Sequence, residues 1–529
     1  MKKPNSYHHK KTEQMNRIKR TLKIACLLAI VCSLFECTPK QSKQIVNVYE
    51  PSWESLAKYN TEPEWFKDAK LGIYFHWGIY SVPAFSSEWY PAWMYYTNLE
   101  KGQWGADVHD YHVKTYGADF NYHDFIPMFK AEHFNAAQWA DLFQNAGAKF
   151  AGLVAEHHDG FAMWDSEINP WNAADMGPEK DITGELLSEL KKRDMKTITT
   201  FHHARNLQRY ANDSTHWANS GNVGMDSHYA YNPDAVTSTI DEKLKYLYGN
   251  IPADEFHEYW LGQVNEVVDK YAPDMIWFDS WLDFIPEEYR QKMVAHHYNT
   301  AVSRGQEPIT FYKQEDLPDS VALIDIEQGG KTDISEKYWL TDITISDGSW
   351  CYTNGLKYKT ADLIIRNMID VWSKKGVVLL NVSPMANGII PQEQQDVLKA
   401  IGEWIKKHEE AVYSTRVHSI FGYGIAEFEK GHFGGQSATM KYTKDDVRFT
   451  KSKDGNTLYV YLLGLPEPNT EIELEHVFET NQNQDISRVS VVGSGVELRW
   501  SVSGDKLTVT TPNAEAMDEI ATVLKVEFL

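Results

Sequence analysis

Between about residues 55 and 410, short apolar runs alternate with stretches whose apolar residues recur at helical spacing. This alternation limits the possible folds more than any other feature of the sequence. The apolar runs that predict strands begin at Leu71, Phe150, Thr197, Met275, Pro308, Val321 and Gly376. Alternating strands and helices predict a parallel sheet. With about eight strand candidates and no glycine-rich phosphate loop after the first, a (β/α)8-type barrel over residues 50–410 is favoured over an open sheet.

The pattern changes after about residue 415, where short segments of alternating polarity follow one another without helical stretches between them. The segments are 447–450, 457–463, 471–475 and 506–511. Turn signals separate them, such as Asp454-Gly455-Asn456 and Ser503-Gly504-Asp505. This pattern predicts a C-terminal antiparallel β-sandwich over residues 415–529.

The N-terminal segment has the pattern of an export signal. Four basic residues between 17 and 23 precede an apolar run over 24–35, which is too short to span a membrane as a helix. We therefore predict a signal peptide over residues 1–37 and an exported bacterial protein of the periplasm, outer membrane or cell surface. Cys37 stands where a lipid-attachment cysteine would, although residues 34–36 lack the usual small side chain. The predicted membrane contact is therefore a lipid anchor at Cys37, and a plain cleaved signal is the alternative.

Composition narrows the class of protein further. The chain of 529 residues is 42% hydrophobic and 24% charged, which is typical of soluble globular proteins with two or three domains. A formal net charge of −22 argues against nucleic acid as a partner, because such binding needs a basic surface. Three of the four cysteines lie in the leader, so no disulfide framework is predicted. None of these features indicates an oligomeric state.

Polar residues cluster where the predicted barrel strands end. His76 follows the first strand, His157 and His158 the second, His202 and His203 the third, Asp279 the fourth, Lys313 the fifth, and Asp325 and Glu327 the sixth. Active sites of barrel enzymes are assembled from these carboxyl ends. The convergence of six such strand ends predicts a functional site at the barrel mouth.

Two kinds of site would use these residues. A zinc site is one alternative, with ligands drawn from His76, His157, His158, His202 and Asp279. Two features argue against it: adjacent His157 and His158 would point to opposite sides of a continuing strand, and no helical His-Glu-x-x-His is present. A sugar pocket is favoured, because imidazoles and carboxylates bond ring hydroxyls while tryptophans cover the apolar face of a sugar. No metal or cofactor is predicted.

Five segments resemble the α-L-fucosidases of glycoside hydrolase family 29 in their order and spacing, across roughly residues 50 to 465. They are LGIYFHWGIYSVPA at 71–84, SEWY at 87–90, EHHDGFAMWDS at 156–166, WFD at 277–279 and VLLNVSP at 378–384. The resemblance implies an exo-acting, retaining α-L-fucosidase that removes terminal α-L-fucose from a fucosylated glycan.

The resemblance also implies roles for individual residues. Asp279, in its Trp-x-Asp context, matches the nucleophile of the family. The implied substrate-binding residues are His76, Glu88, Trp89, His157, His158, His202, His203, Trp277 and Lys313, with no choice made between His202 and His203. Lys313 stands near an arginine of relatives, and Glu156 replaces a lysine that often precedes the His-His-Asp. Either difference could alter the rim of the pocket.

The general acid/base is not carried over, because in this family it lies on a variable loop. A retaining glycosidase needs a second carboxyl group roughly 5–5.5 Å from the nucleophile. Glu327 is the first choice, because it follows the sixth strand at the same mouth as Asp279. Asp333 and Glu336, in the following loop, are the alternatives.

Two other functions stay open at this point. One is an exo-glycosidase acting on α-L-galactosides, since the sequence does not show which residues would contact the methyl group of fucose. The other is a non-catalytic sugar-binding surface lipoprotein, which the complete motif around Asp279 argues against.

Overall fold

The structure is a computed structural model that describes residues 48–97, 99–208, 227–229, 232, 234–426, 441–478, 485–504 and 506–529. The predicted signal peptide, Cys37 and Asp505 lie outside the described residues. Among those that are described, no helix combines the length and the apolar character needed to cross a membrane.

The described residues up to 382 contain ten strands: β1 Leu71–Phe75, β2 Phe150–Glu156, β3 Lys196–Phe201, β4 Met275–Phe278, β5 Ile309–Tyr312, β6 Leu323–Ile324, β7 Trp339–Thr344, β8 Ser346–Asp347, β9 Lys357–Tyr358 and β10 Gly376–Val382. Strands β8 and β9 pair only with each other, as a short hairpin. The other eight are parallel and lie side by side in chain order from β1 to β7, with β10 between β7 and β1.

A single parallel bridge between Asp325 and Leu340 links β6 to β7. The amide N–H of Ile326 donates to the carbonyl of Leu340 (3.0 Å), and that of Gln328 donates to the carbonyl of Asp342 (2.8 Å). The ring of eight strands is therefore nearly closed, which confirms the predicted (β/α)8-type barrel. Because the strands are parallel, their carboxyl ends meet at one rim.

The helices are α1 Trp53–Leu56, α2 Glu64–Ala69, α3 Tyr90–Trp93, α4 Val108–Tyr116, α5 Ala136–Asn145, α6 Ile182–Lys191, α7 Leu244–Leu247, α8 Ala253–Tyr271, α9 Glu287–Ser303, α10 Ala361–Ser373, α11 Gln392–Lys407 and α12 Glu409–Val412. Short 3-10 turns lie at Ile79–Ser81, Tyr122–Met128, His203–Arg205, Val236–Ser238, Leu282–Phe284 and Ala514–Ala516. Asn135 caps α5, accepting the amide N–H of Gln138. The alternation is interrupted twice, since residues 313–322 and 325–338 join barrel strands without a helix.

One barrel strand was not predicted from the sequence. In β7, Thr341, Asp342 and Thr344 interrupt the apolar pattern, so that Trp339–Thr344 lacks the continuous hydrophobic run of the other barrel strands. The sixth strand is also shorter than predicted, because only Leu323 and Ile324 are in ladder geometry.

The barrel interior has two layers, because side chains along a strand alternate between the interior and the helices. The lower layer is an apolar cluster that includes Tyr74, Trp277, Phe311, Leu323, Leu340 and Leu379. Two residues further along the same strands, in the same order, lie His76, Asp279, Lys313, Asp325, Asp342 and Asn381. The polar residues thus stand on an apolar floor at the carboxyl rim.

The C-terminal strands are β11 Thr415–Tyr423, β12 Val447–Ser452, β13 Thr457–Leu462, β14 Glu471–Leu474, β15 Ile486–Val491, β16 Trp500–Ser503, β17 Lys506–Thr510 and β18 Thr522–Phe528. They form an antiparallel sheet of order β11-β12-β13-β18-β15 and a second of order β14-β17-β16. Phe449 and Val460 of the first sheet share a buried cluster with Leu474 and Val509 of the second. The predicted antiparallel domain is therefore confirmed.

The larger sheet packs on the barrel through α10. The Nε of Arg448 donates to Oδ1 of Asp370 (2.6 Å), and the Nζ of Lys374 lies 2.8 Å from the other oxygen of Asp370. All three residues are buried. This charged group fixes the register between the two domains.

Candidate active site

A cavity of about 720 Å³ opens at the carboxyl rim of the barrel. Nine of the predicted site residues line it: His76, Glu88, Trp89, His157, His158, His202, Asp279, Lys313 and Glu327. These side chains come from segments that are far apart in the sequence, and the closure of the barrel brings them together. The cavity therefore has the position expected for the active site of a barrel enzyme.

Asp279 follows β4 and is held by its backbone N–H, which donates to the carbonyl of Phe201 (3.1 Å). One of its carboxylate oxygens lies 3.1 Å from Nζ of Lys313, and the other lies 3.3 Å from Nε2 of His158. Burial raises the pKa of Asp279, but Lys313, His202 and His158 outweigh burial and hold that pKa well below its usual range. Asp279 is therefore a rigid and ionised carboxylate.

Lys313 joins Asp279 to a second carboxyl group. Its Nζ lies 2.9 Å from Oε2 of Glu327 as well as 3.1 Å from Oδ1 of Asp279. Since both oxygens contact the same nitrogen, they lie no more than about 6 Å apart. Burial raises the pKa of Glu327, although Lys313 opposes this effect. The alternatives Asp333 and Glu336 are exposed and do not line the cavity.

Asp342, on the unpredicted strand β7, also lines the cavity. Its Oδ2 accepts a hydrogen bond from the hydroxyl of Tyr74 (3.0 Å) and lies 3.5 Å from Nζ of Lys313. Lys313 thus faces three carboxyl groups. Burial lowers the pKa of Lys313, but these carboxyl groups, led by Asp342, raise it well above its usual range.

The loop between β8 and β9 closes one side of the cavity. The hydroxyl of Ser349 and the amide N–H of Trp350 both donate to Oε2 of Glu88 (3.2 Å each). Burial raises the pKa of Glu88 to about 7. The Nδ2 of Asn381 donates to the carbonyl of Trp350 (2.8 Å), which anchors this loop to β10.

Three imidazoles also belong to the polar layer. His76, His157 and His202 each offer a ring nitrogen, and these atoms all lie within 4.8 Å of one another. Burial lowers the pKa of all three imidazoles. Neutral imidazoles so placed can bond sugar hydroxyls, and they are also the residues that could hold a soft divalent cation. Asp279, which the sequence offered as a further zinc ligand, instead contacts Lys313 and His158.

His157 and His158 would point to opposite sides only if their strand continued, and β2 ends at Glu156. The pairing of β2 with β3 shifts register between Val154 and Glu156, and the strand ends there, so both imidazoles line the cavity. A register shift of this kind re-aims side chains at the end of a strand. Glu156 itself is buried away from the cavity lining, so it does not shape the rim.

Two predicted substrate-binding residues do not line the cavity. His203 begins a 3-10 turn, and its ring lies near Phe201 and Trp260 in the helix layer. Of the His202 and His203 pair, the structure therefore brings only His202 to the cavity. Trp277 is fully buried in the layer beneath, with the ammonium of Lys313 4.8 Å from its ring centroid.

Several residues of the cavity were missed by sequence reasoning. Besides Asp342, they include Trp104, Arg205, Trp281, Ser349 and Trp350. Trp281 could have been predicted from the sequence, because it follows Asp279 by two residues at the same strand end. Arg205 lies over the rings of both Trp89 (5.0 Å) and Trp281 (5.3 Å). The others come from loops whose approach to the rim depends on the tertiary fold.

Comparison with known families agrees with this arrangement. The sequence model of the family described as Alpha-L-fucosidase matches residues 36–410. A second model, described as Alpha-L-fucosidase C-terminal domain, matches residues 440–527. The two matches together cover most of both structural domains.

Individual relatives match over most of their length. The human tissue alpha-L-fucosidase is 28% identical over 474 residues, which are 87% of this chain and 86% of the human protein. The alpha-L-fucosidase of Branchiostoma floridae is 26% identical over 485 residues, covering 88% and 92%. The crystal structure of the Thermotoga maritima alpha-fucosidase in complex with fucose gives a TM-score of 0.67 at 27% identity, covering 90% of this chain and all of that one. The same enzyme with a mechanism-based inhibitor gives the same values.

Proposed function

The chain belongs to the alpha-L-fucosidase family, and on this premise we propose how its cavity hydrolyses α-L-fucosides. The protein is a glycoside hydrolase that removes α-L-fucose with retention of configuration. We assign Asp279 as the nucleophile and Glu327 as the general acid/base.

The observation that carries this assignment is the shared contact with Lys313. It limits the separation of the two carboxyl oxygens to at most about 6 Å, which admits the 5–5.5 Å of retaining glycosidases and lies below the 6.5–9.5 Å of inverting ones. The two carboxyl groups also have different proton affinities: the pKa of Asp279 is lowered and that of Glu327 is raised. A nucleophile must be ionised and a general acid must carry a proton.

The reaction then has two steps. In the first, Asp279 attacks the anomeric carbon while Glu327 gives its proton to the departing glycosidic oxygen, which leaves a fucosyl ester on Asp279. In the second, Glu327 takes a proton from water as the water oxygen attacks the same carbon. Asp279 is released as a carboxylate and Glu327 is again protonated.

The cavity supports action on a terminal sugar. It is closed below by the apolar layer that includes Trp277 and Tyr74, and it opens at the carboxyl rim of the barrel. A sugar held against Asp279 would therefore have the rest of the glycan at the mouth. We propose the non-reducing terminal α-L-fucose of a glycan as the substrate, with the imidazoles, Glu88 and Trp89 binding its hydroxyls and ring.

The decisive experiment compares turnover of an activated aryl α-L-fucoside by the wild type and by Asp279→Ala. We expect a loss of several orders of magnitude with folding intact, because covalent catalysis is lost. Asp333→Ala is the matched control and should behave as the wild type. Absence of wild-type turnover would contradict catalysis and favour the sugar-binding alternative. Faster turnover of the matching α-L-galactoside would favour the galactosidase alternative.

We also propose that the protein is exported and begins, when mature, at or near Cys37. The proposal rests on the basic and apolar pattern of the leader. Mass spectrometry of the N-terminus of the native protein tests it, and a Cys37→Ser variant tests lipid attachment. An intact segment over residues 15–30 would contradict export, and an unmodified N-terminal Cys37 would contradict the anchor.

A further inference from the structure

We propose that Asp342 is a positioning residue for this reaction, which holds Lys313 between Asp279 and Glu327 and favours the protonated form of Glu327. The inference rests on the proposed function of these two carboxyl groups. Asp342 would act through Lys313 and Glu327, and not on the glycosidic bond itself.

The position of Asp342 in the barrel supports this role. It follows the lumen-facing Leu340 by two residues on β7, so it stands in the polar layer beside Lys313. Its Oδ2 accepts the hydroxyl of Tyr74 at 3.0 Å and lies 3.5 Å from Nζ of Lys313. Asp342 is 1% exposed, so water screens its interaction with the ammonium of Lys313 only weakly. One oxygen of this carboxyl group therefore contacts both a hydroxyl donor and the ammonium of Lys313.

The titratable groups around Glu327 come from four strands. Lys313 faces it from the end of β5, Asp279 from β4, Asp342 from β7 and Asp325 from β6. Neither oxygen of Asp325 accepts a hydrogen bond from a described residue, and burial, then repulsion from Asp342, raises its pKa well above its usual range. Asp325 is therefore a neutral acid. The charges left to balance Lys313 are those of Asp342 and one catalytic carboxylate.

This balance is preserved through the reaction. Before the first step the negative catalytic group is Asp279, and in the fucosyl-enzyme it is Glu327. Lys313 is within 3.1 Å of both, so it can follow the charge from one to the other without moving far. Asp342 takes no part in these proton transfers and gives Lys313 a partner at 3.5 Å in both states. Without Asp342, the positive charge of Lys313 would bear more strongly on Glu327 and favour its loss of a proton.

The test is the pH dependence of kcat/KM for the aryl α-L-fucoside and for a fucosylated disaccharide with a poor leaving group. The basic limb of this profile reports the general acid of the free enzyme. In Asp342→Asn, we expect the midpoint of this limb to move to lower pH. At the pH of the wild-type midpoint, kcat/KM for the disaccharide should be about three- to tenfold lower than in the wild type. Asp342→Glu, which keeps the charge, should bring the limb back toward the wild-type position.

Asp325→Asn is the matched control, because it replaces a neutral acid in the same layer and should leave the limb in place. An unmoved limb in Asp342→Asn, or equal shifts in both variants, would overturn the role of Asp342. If Asp342→Asn does not fold, Asp342→Ser tests the same loss of charge with a smaller side chain. Absence of wild-type turnover would overturn the proposed function and this inference together, whereas turnover with an unmoved limb would overturn the inference alone.

Discussion

Replacing Glu327 with alanine tests the identity of the general acid/base, for which the sequence also offers Asp333 and Glu336. Such a group contributes about 10²- to 10⁴-fold to the rate of a reaction that needs its proton. We expect kcat/KM for a fucosylated disaccharide to fall by that factor, or about 3–5 kcal/mol in activation free energy. An aryloxide of low pKa leaves without protonation, so the activated aryl fucoside should lose no more than about tenfold.

The structure also limits the cost of this substitution to folding. Lys313 loses its contact with Glu327 but keeps Asp279 at 3.1 Å and Asp342 at 3.5 Å. No buried cation is left without a partner, so the large penalty for breaking a buried ion pair, about 3–5 kcal/mol, should be avoided. Unfolding in urea should therefore show a change well below that penalty.

Azide provides an independent measurement. A small anion can attack the fucosyl-enzyme without a general base, so azide should accelerate Glu327→Ala and give a fucosyl azide of retained configuration. Asp333→Ala and Glu336→Ala, at exposed positions of the following loop, should match the wild type. The reasoning would be refuted by an equal loss on both substrates, or by azide rescue of Glu336→Ala or Asp333→Ala instead.

Three further predictions address stability and substrate range. Burial raises the pKa of Glu88 to about 7, so the folded state binds this proton more tightly than the unfolded state. The free energy of unfolding of the wild type, relative to that of Glu88→Gln, should therefore fall as pH rises from about 4.5 through about 7. Urea unfolding of both proteins at pH 5 and pH 8 tests this, and an equal difference at the two pH values would contradict it. The ring of Trp104 packs against neighbouring tryptophans but is 66% exposed at the cavity mouth, where the leaving group of a glycan would lie. Trp104→Ala should therefore lower kcat/KM about fivefold for a fucosylated trisaccharide. It should leave kcat/KM unchanged for α-L-fucosyl fluoride, because the leaving group of that substrate has no ring. Equal losses would mean that Trp104 only supports the pocket. Arg448→Met removes one of the two buried cations that contact Asp370 and should destabilise the protein by about 2 kcal/mol, because Lys374 remains as a partner. Arg488→Met on the surface should change the free energy of unfolding by about 0.5 kcal/mol or less.

Most of the barrel could be predicted because its strands are buried on both faces. Runs such as those beginning at Leu71, Phe150 and Gly376 are apolar over their first five residues, and parallel strands covered by helices have this character. The same rule hid β7, where the lumen-facing positions carry Asp342 and Thr344. These positions belong to the polar layer of the site. Because polar side chains are needed there, the strand lacks the apolar run by which it would have been recognised.

The sequence by itself determined the residues that follow each apolar strand. His76, His158 and Asp279 could therefore be placed at one rim, since parallel strands end on the same side of a barrel. For Glu327, the sequence left Asp333 and Glu336 as competitors on the same loop. Short-range pattern does not show which side chain of a loop turns toward a neighbour across the barrel.

Only the tertiary structure decided which partners these residues meet. Trp350 reaches Glu88 because the β8–β9 hairpin folds over the rim, and Asp342 reaches Lys313 because the ring of strands nearly closes. These contacts join residues widely separated along the chain, and their distances depend on the packing of the whole barrel. Periodicity specifies the face of a strand on which a side chain lies, whereas the closure of the sheet specifies what stands opposite it.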